Sequence, residues 1–378
     1  MQYNRLGNSG LLVSELSFGS WVTFDASAKD GTVGGTSRED AANSCFEIMK
    51  AAYLGGVNFF DNAEAYAQGD AERLMGDAVQ MGIERKVWTR EDLVLTTKIM
   101  FGALPPKIRS DYIPNGISVN KVGLSRKHVI EGLKASLKRM RCDYVDLVFC
   151  HRPDPITPME EIVRAFNYVI DQGLAFYWGT SEWSAAQLLH AKAVADRLGM
   201  VGPLMDQPEY SLFVRQRVES EYKDLYAKDS LGLGLTIWSP LASGVLTGKY
   251  GNGIPAGSRL ASKVFQARPD FKRRFLDRIK SAEVLRPIAN RLGCNMGQLA
   301  LAWCLNNPNV STVITGATSV QQVTENLQAC NLKHQLTAEI MQEIENALGK
   351  EWKPRHSPVA IQMAYRTRKL SPGALSKL

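Results

Sequence analysis

Short apolar runs and helical patterns alternate along this chain from Leu16 to about Ala329, and neither type runs long. The apolar runs are Leu16–Gly19, Val57–Phe60 before Asp61, Leu93–Thr97 before Lys98, Val145–Cys150 before His151, Ala175–Thr180, Leu204–Gln207, Leu233–Trp238 and Val313–Thr315. Helical patterns fall at about 39–53, 71–81, 126–139, 158–172, 185–198, 274–292 and 320–329. Such alternation predicts a parallel α/β sheet closed as a (β/α)8 TIM barrel. An open doubly wound sheet is the rival. It asks for GxGxxG after the first strand, which Gly7-Asn8-Ser9-Gly10 does not supply. Tyr3–Val13, which holds that turn, reads as a hairpin capping the barrel bottom. Ser125 reads as a helix N-cap, as does Thr157 with Pro158 at the first helical position, and Gly173 as a stop.

Three of the runs stop at an ionisable residue: Asp61, Lys98 and His151. Tyr66 follows Asp61 by five positions. An unpaired charge at the tip of a buried strand is costly to desolvate, so these residues point to one shared site. In a (β/α)8 barrel the strand C-terminal ends carry the active site. The plainer reading, a bare Asp61–Lys98 ion pair bracing the barrel mouth, leaves Tyr66 and His151 without a purpose.

Composition narrows the class. The 378 residues are 45% hydrophobic and 22% charged, as in a globular chain able to bury a large core. No apolar stretch reaches the roughly 18 residues of a membrane span, and Met1-Gln2-Tyr3-Asn4-Arg5 lacks a signal-peptide core. Cys45, Cys142, Cys150, Cys294, Cys304 and Cys330 form no CxxC pair, so reduced thiols in the cytoplasm are expected, with no metal site. The net charge of +7 lies mostly in residues 350–378, where seven Lys and Arg face Glu351 alone. The body is nearly neutral, which excludes a nucleic-acid-binding face.

The quartet Asp61, Tyr66, Lys98 and His151 resembles the catalytic tetrad of the aldo-keto reductase superfamily. Further motifs are similar to its branch of voltage-gated potassium channel β-subunits, closest to plant and microbial members. They are Gly123-Leu124-Ser125-Arg126-Lys127-His128, Arg152-Pro153-Asp154-Pro155, Tyr177-Trp178-Gly179-Thr180-Ser181, Trp238-Ser239-Pro240-Leu241 and Gly248-Lys249-Tyr250. The resemblance covers roughly residues 3–348. It implies a barrel over residues 1–349 with an insertion at about 103–122, and leaves 350–378 as a basic, disordered tail. The insertion follows the strand ending at Lys98, so it is expected to overhang the mouth as a lid or a plain surface loop.

The resemblance implies carbonyl reduction. Hydride arriving at carbon leaves negative charge on oxygen, which needs an acid. Tyr66 is expected to supply that proton once Lys98 lowers its pKa from about 10. Asp61 holds the Lys98 charge, and His151 donates to the substrate oxygen. Animal channel β-subunits have asparagine where this chain has His151, and histidine favours turnover.

The resemblance also implies NADPH as cofactor. Trp238 matches the residue stacked on the nicotinamide, and Ser181 and Gln207 match the groups that fix its carboxamide. Ser20, Trp21 and Asp61 match contacts near its ribose. Ser239, Pro240, Leu241, Ala242, Gly244, Lys249 and Arg259 match the loop around the pyrophosphate. Gly316, Thr318, Gln322, Glu325 and Asn326 match the adenosine end, beside a helix N-terminus. Glu182, after Ser181, is placed to alter a ribose or phosphate contact. The implied partners are a small carbonyl substrate, further copies in a homotetramer, and a potassium channel α-subunit, with at most peripheral membrane contact. The main reading is an NADPH-dependent reductase of aldehydes and ketones. Its alternative is an auxiliary channel subunit that uses bound NADPH as a redox sensor.

Overall fold

The computed structural model describes residues 1–21, 23–24, 37–104, 119–256, 258–261, 266–267 and 270–349, without the side chains of Arg259, Arg273 and Arg274. Most of the insertion and the whole basic tail lie outside these residues. Strands β1 (Tyr3–Arg5) and β2 (Leu12–Ser14) form an antiparallel hairpin. The other eight are β3 (Leu16–Gly19), β4 (Phe59–Asp61), β5 (Val94–Ile99), β6 (Val145–Cys150), β7 (Ala175–Thr180), β8 (Met205–Asp206), β9 (Gly234–Ile237) and β10 (Thr312–Thr315). They pair in parallel in chain order, and β10 returns to β3. The fold is the TIM barrel that the alternation predicts, with the expected N-terminal hairpin.

Successive side chains of a strand point to opposite faces, and the barrel sorts them accordingly. Phe60, Leu95, Val148, Trp178, Leu235 and Val313 join the large core shared with the surrounding helices. Their neighbours Phe59, Val94, Leu147, Phe149, Met205 and Ile314 form a second apolar cluster with Leu6 and Val13 of the hairpin. The hairpin turn sits hard against the barrel floor. A Cβ on Gly7, whose φ is +55°, would lie 2.5 Å from the Leu204 carbonyl oxygen.

Helix starts follow the capping rules in most places. Ser37 accepts from Asp40 N–H and Ser125 from His128 N–H, and Ser184 pairs with Gln187 in a capping box. The expectation at Thr157 fails. Pro158 is the cap residue of helix Met159–Asp171, and the Thr157 hydroxyl donates instead to Asp154 at 2.7 Å. The pattern at 274–292 is several pieces, among them helices Asp277–Ala282 and Arg286–Arg291 joined by a 3₁₀ turn at Glu283–Leu285. The reading missed helix Met296–Leu305, which is buried nearly all round and so shows no polar face. Its signal was the Asn295/Gln298 capping box. Helix Ala338–Leu348 was missed as well.

Among the described residues, no helix is long and apolar enough to cross a membrane, and no group of His, Cys, Asp and Glu is arranged to hold a metal ion.

Candidate active site

Asp61 ends β4, one step past inward-facing Phe59, and Lys98 lies in β5, two inward steps past Val94. Both side chains therefore point into the upper barrel. Lys98 is fully buried, and its ammonium donates to Asp61 Oδ2 at 2.5 Å, the Asn62 carbonyl at 2.7 Å and Tyr66 Oη at 3.1 Å. An ammonium has three hydrogens, and all three are used. Asp61 Oδ1 accepts from Thr96 Oγ1 at 2.9 Å and from Gln207 Nε2 at 3.0 Å. The carboxylate is thus fully engaged inside the barrel, as a buried charge must be.

Tyr66 is half-buried and begins a short turn in which Ala67 and Gln68 take left-handed backbone angles. This irregular loop aims the phenol back across the mouth. Its oxygen accepts from Lys98, so its own O–H is left to donate elsewhere. His151 follows β6, with its ring centroid 5.6 Å from Tyr66 and 5.1 Å from Phe101.

The electrostatics correct one expectation. Burial raises the Tyr66 pKa above its ordinary value. The Lys98 ammonium and, more weakly, Arg152 oppose that rise without reversing it. Tyr66 is held as a neutral phenol, the form that can give a proton. Burial also works against the charge on Lys98, but Asp61 and Tyr66 more than offset it and hold its pKa up.

Several of the residues that the resemblance assigns to the cofactor lie at or after strand ends on the same side of the barrel. The Ser20 backbone N–H donates to the Asp61 carbonyl, while its buried hydroxyl has no hydrogen-bond partner among the described residues. Trp21 is 42% exposed beside it. Ser181 Oγ donates to the Gln207 carbonyl at 2.7 Å and accepts from Arg152 at 3.0 Å. Trp238 follows β9, and its indole N–H donates to Glu182 Oε1 at 3.1 Å. Glu182 also accepts from Glu209 N–H at 2.6 Å and lies 3.7 Å from Arg217. Glu182 thus braces the tryptophan.

Pro240 and Leu241 lead from Trp238 into the 3₁₀ segment Ala242–Thr247. Ser239, Ala242 and Ser243 have φ of +60°, +48° and +60°, and Gly244 has +88°. Left-handed non-glycine residues are costly and gather at sites that use the strain. A Cβ on Gly244 would lie 3.0 Å from Lys249 Cε. Arg259 opens a 3₁₀ turn, and its side chain lies outside the described residues. A Cβ on Gly316, after β10, would lie 3.0 Å from Thr23 Oγ1. Thr318 N–H donates to Gln322 Oε1 at 2.9 Å at the start of helix Val320–Leu327, which also holds Glu325 and Asn326.

Sequence reasoning missed Thr96 and Arg152. Thr96 was readable, because it stands two positions before Lys98 and so shares its face. Arg152 was quoted only inside a motif. In the structure its guanidinium bonds Ser181 and lies 5.9 Å from the Trp238 ring.

A barrel with buried ionisable groups at its strand ends is the frame of many enzymes. Comparison of the sequence narrows it: residues 15–348 match the Aldo/keto reductase family, and the chain belongs to that family. Two relatives carry a more particular name. A rice protein named probable voltage-gated potassium channel subunit beta is 50% identical over 349 residues, 91% of this chain and 96% of its own length. An Arabidopsis thaliana protein of the same name is 49% identical over 352 residues, 92% of this chain and 97% of its own.

Proposed function

We propose that this chain is an NADPH-dependent reductase of aldehydes and ketones with Tyr66 as proton donor. One observation carries the reading: Lys98 uses its three hydrogens on Asp61, Asn62 and Tyr66, so the Tyr66 oxygen accepts there and its own hydrogen is left to donate to another group. When bound, the cofactor supplies a hydride to the carbonyl carbon. The chain's own residues handle the oxygen. Tyr66 gives it a proton, Lys98 stabilises the phenolate left behind, and Asp61 fixes Lys98. His151 lies beside Tyr66 and orients the same oxygen. The product is an alcohol, and solvent returns the proton to Tyr66.

The mouth suits a nicotinamide dinucleotide. Ser20 offers a buried hydroxyl without a partner among the described residues, and the glycine at 244 leaves room beside Lys249. Trp238 would stack on the nicotinamide, with Ser181 and Gln207 at its carboxamide. Ser239–Ala242, Gly244, Lys249 and Arg259 would take the phosphates, and Gly316, Thr318, Gln322, Glu325 and Asn326 the adenosine.

A carbonyl panel read by NADPH absorbance tests the reading. Wild-type protein is expected to turn over, and Tyr66→Phe to lose about 10²–10⁴ in rate while still binding NADPH. Retained turnover in the mutant removes the assignment.

A second reading rests on the relatives' printed name: a subunit docked beneath a potassium channel, with bound NADPH as redox reporter. Fold and site are compatible with both uses. Pull-down with a channel cytoplasmic domain tests this reading. Light scattering tests the homotetramer that a four-fold partner would require.

A further inference from the structure

Glu64 lies in the loop between Asp61 and Tyr66 and is 2% exposed. Its Oε1 accepts two backbone N–H groups of one segment, Met100 and Gly102, each at 2.8 Å. Its own backbone N–H donates to the Lys98 carbonyl at 3.2 Å. The other carboxylate oxygen lies 3.4 Å from His128 Nε2. Gly132, one helical turn after His128, leaves the space for this pair. A Cβ there would lie 3.2 Å from the His128 ring and 3.3 Å from Glu64 Oε2.

His128 is buried at the start of helix Arg126–Met140, with Nδ1 2.7 Å from the Gly123 carbonyl. A carbonyl can only accept, so Nδ1 carries a hydrogen. Nε2 then meets a carboxylate, and only the imidazolium has a hydrogen to place there. Burial works against that cation. Glu64, the Gly123 carbonyl and, from the same helix, Glu131 outweigh it and hold the His128 pKa above its ordinary value. The segment held by Glu64 carries Phe101, whose ring meets His151 at 5.1 Å and 65°. Gly123 N–H ties the same segment through the Met100 carbonyl at 2.7 Å.

We propose that Glu64 and His128 are a positioning pair that fixes Phe101 against His151 and thereby sets the fit of the carbonyl substrate. They act through Phe101 and not by contact with the reactants. A buried ion pair is a weak source of stability compared with apolar packing, whereas one carboxylate receiving two N–H groups of a single loop defines that loop's place. The substrate clause rests on the reductase reading; the claim about the loop does not.

The test combines amide hydrogen exchange with steady-state kinetics on the full chain, using a simple aldehyde and NADPH. Glu64→Ala should speed exchange at Met100 and Gly102 by about 10- to 100-fold, the loss of charge-assisted bonds. It should lower kcat/KM by about tenfold or more, chiefly through KM. Glu64→Gln keeps an acceptor for both N–H groups and can donate to neutral His128. It should restore both readouts to within about threefold of wild type. Phe101→Ala should raise KM, and adding Glu64→Ala to it should raise KM no further. If Glu64→Ala does not fold, His128→Gln serves in its place and should move both readouts the same way, by less.

The proposal is overturned if exchange at Met100 and Gly102 stays at the wild-type rate in Glu64→Ala or His128→Gln. It is equally overturned if exchange quickens while KM in the folded protein is unchanged. If the wild-type protein turns over no carbonyl, the reductase reading falls with the substrate clause, and the exchange result alone decides whether the pair holds the loop.

Discussion

Below the mouth of the barrel the inward side chains include Phe59, Val94, Phe149 and Met205, which form one apolar cluster with Leu6 and Val13 of the hairpin. One inward step further along the same four strands stand Asp61, Thr96, His151 and Gln207, and a second step on β5 brings Lys98. The two regions share strands, direction and period, yet one is wholly apolar and the other nearly wholly polar. The floor is a packed plug whose contribution is burial. The mouth spends that stability on ionised groups that only a fixed hydrogen-bond network can hold. Stability and chemistry should therefore separate cleanly by mutation.

The largest effects belong to the ion pair. Lys98→Met should remove carbonyl turnover by about 10²–10⁴ and also cost about 3–5 kcal/mol, because Asp61 is left buried without its cation. Adding Asp61→Asn should restore much of the stability and none of the turnover. Denaturant titration beside the NADPH assay checks both. Recovery of turnover in the double mutant would reduce the pair to a brace.

On the floor the expectation inverts. Leu6→Ala, in the hairpin, empties a fully buried site and should cost about 2–5 kcal/mol, with turnover per folded molecule within about twofold of wild type. A chemical midpoint and an activity measured well below it distinguish the two.

One part of the pH dependence of stability should come from a buried carboxyl near the mouth end. Asp206, at the end of β8, faces outward. Burial pushes its carboxyl up to about 6. The hydrogen bonds agree: Tyr222 has one phenolic hydrogen and lies against both the Trp183 carbonyl and Asp206 Oδ2, so one of its two contacts needs a hydrogen from elsewhere. The folded state therefore holds this proton more tightly than the unfolded chain does. Stability from Asp206 is fully present below about pH 4 and is lost as pH rises towards 6, by about 2–3 kcal/mol. Asp206→Asn should flatten that slope in unfolding curves taken between pH 4 and 7.

The smallest effect concerns cofactor choice. Lys249→Ala should weaken NADPH more than NADH, by about tenfold if it meets the 2′-phosphate. Equal weakening in fluorescence titrations would move Lys249 to the pyrophosphate.

Much of this architecture was legible in the sequence because strands and charges mark each other. The runs ending at Asp61, Lys98 and His151 fixed both the strand direction and the face carrying the ionisable groups. What escaped was whatever lacks a periodic or capping signal. Helix Met296–Leu305 has no polar face, and the cap at Thr157 lost its hydroxyl to Asp154, a partner three residues earlier. The Tyr66 pKa was misjudged because spacing shows the neighbouring cation but not the burial that outweighs it. Glu182 was read towards the cofactor, and only the fold reveals that its carboxylate meets the Trp238 indole.

The central claim is that the mouth moves a hydride to carbon and a proton from Tyr66 to oxygen. Reduction of an aldehyde with NADPH deuterated at the transferring position, followed by mass spectrometry of the alcohol, tests it most directly. The account predicts one deuterium on the carbinol carbon with wild-type protein, and alcohol formed about 10²–10⁴ more slowly with Tyr66→Phe, although that variant still binds the cofactor. Alcohol without the label, or equal labelled product from Tyr66→Phe, would contradict it.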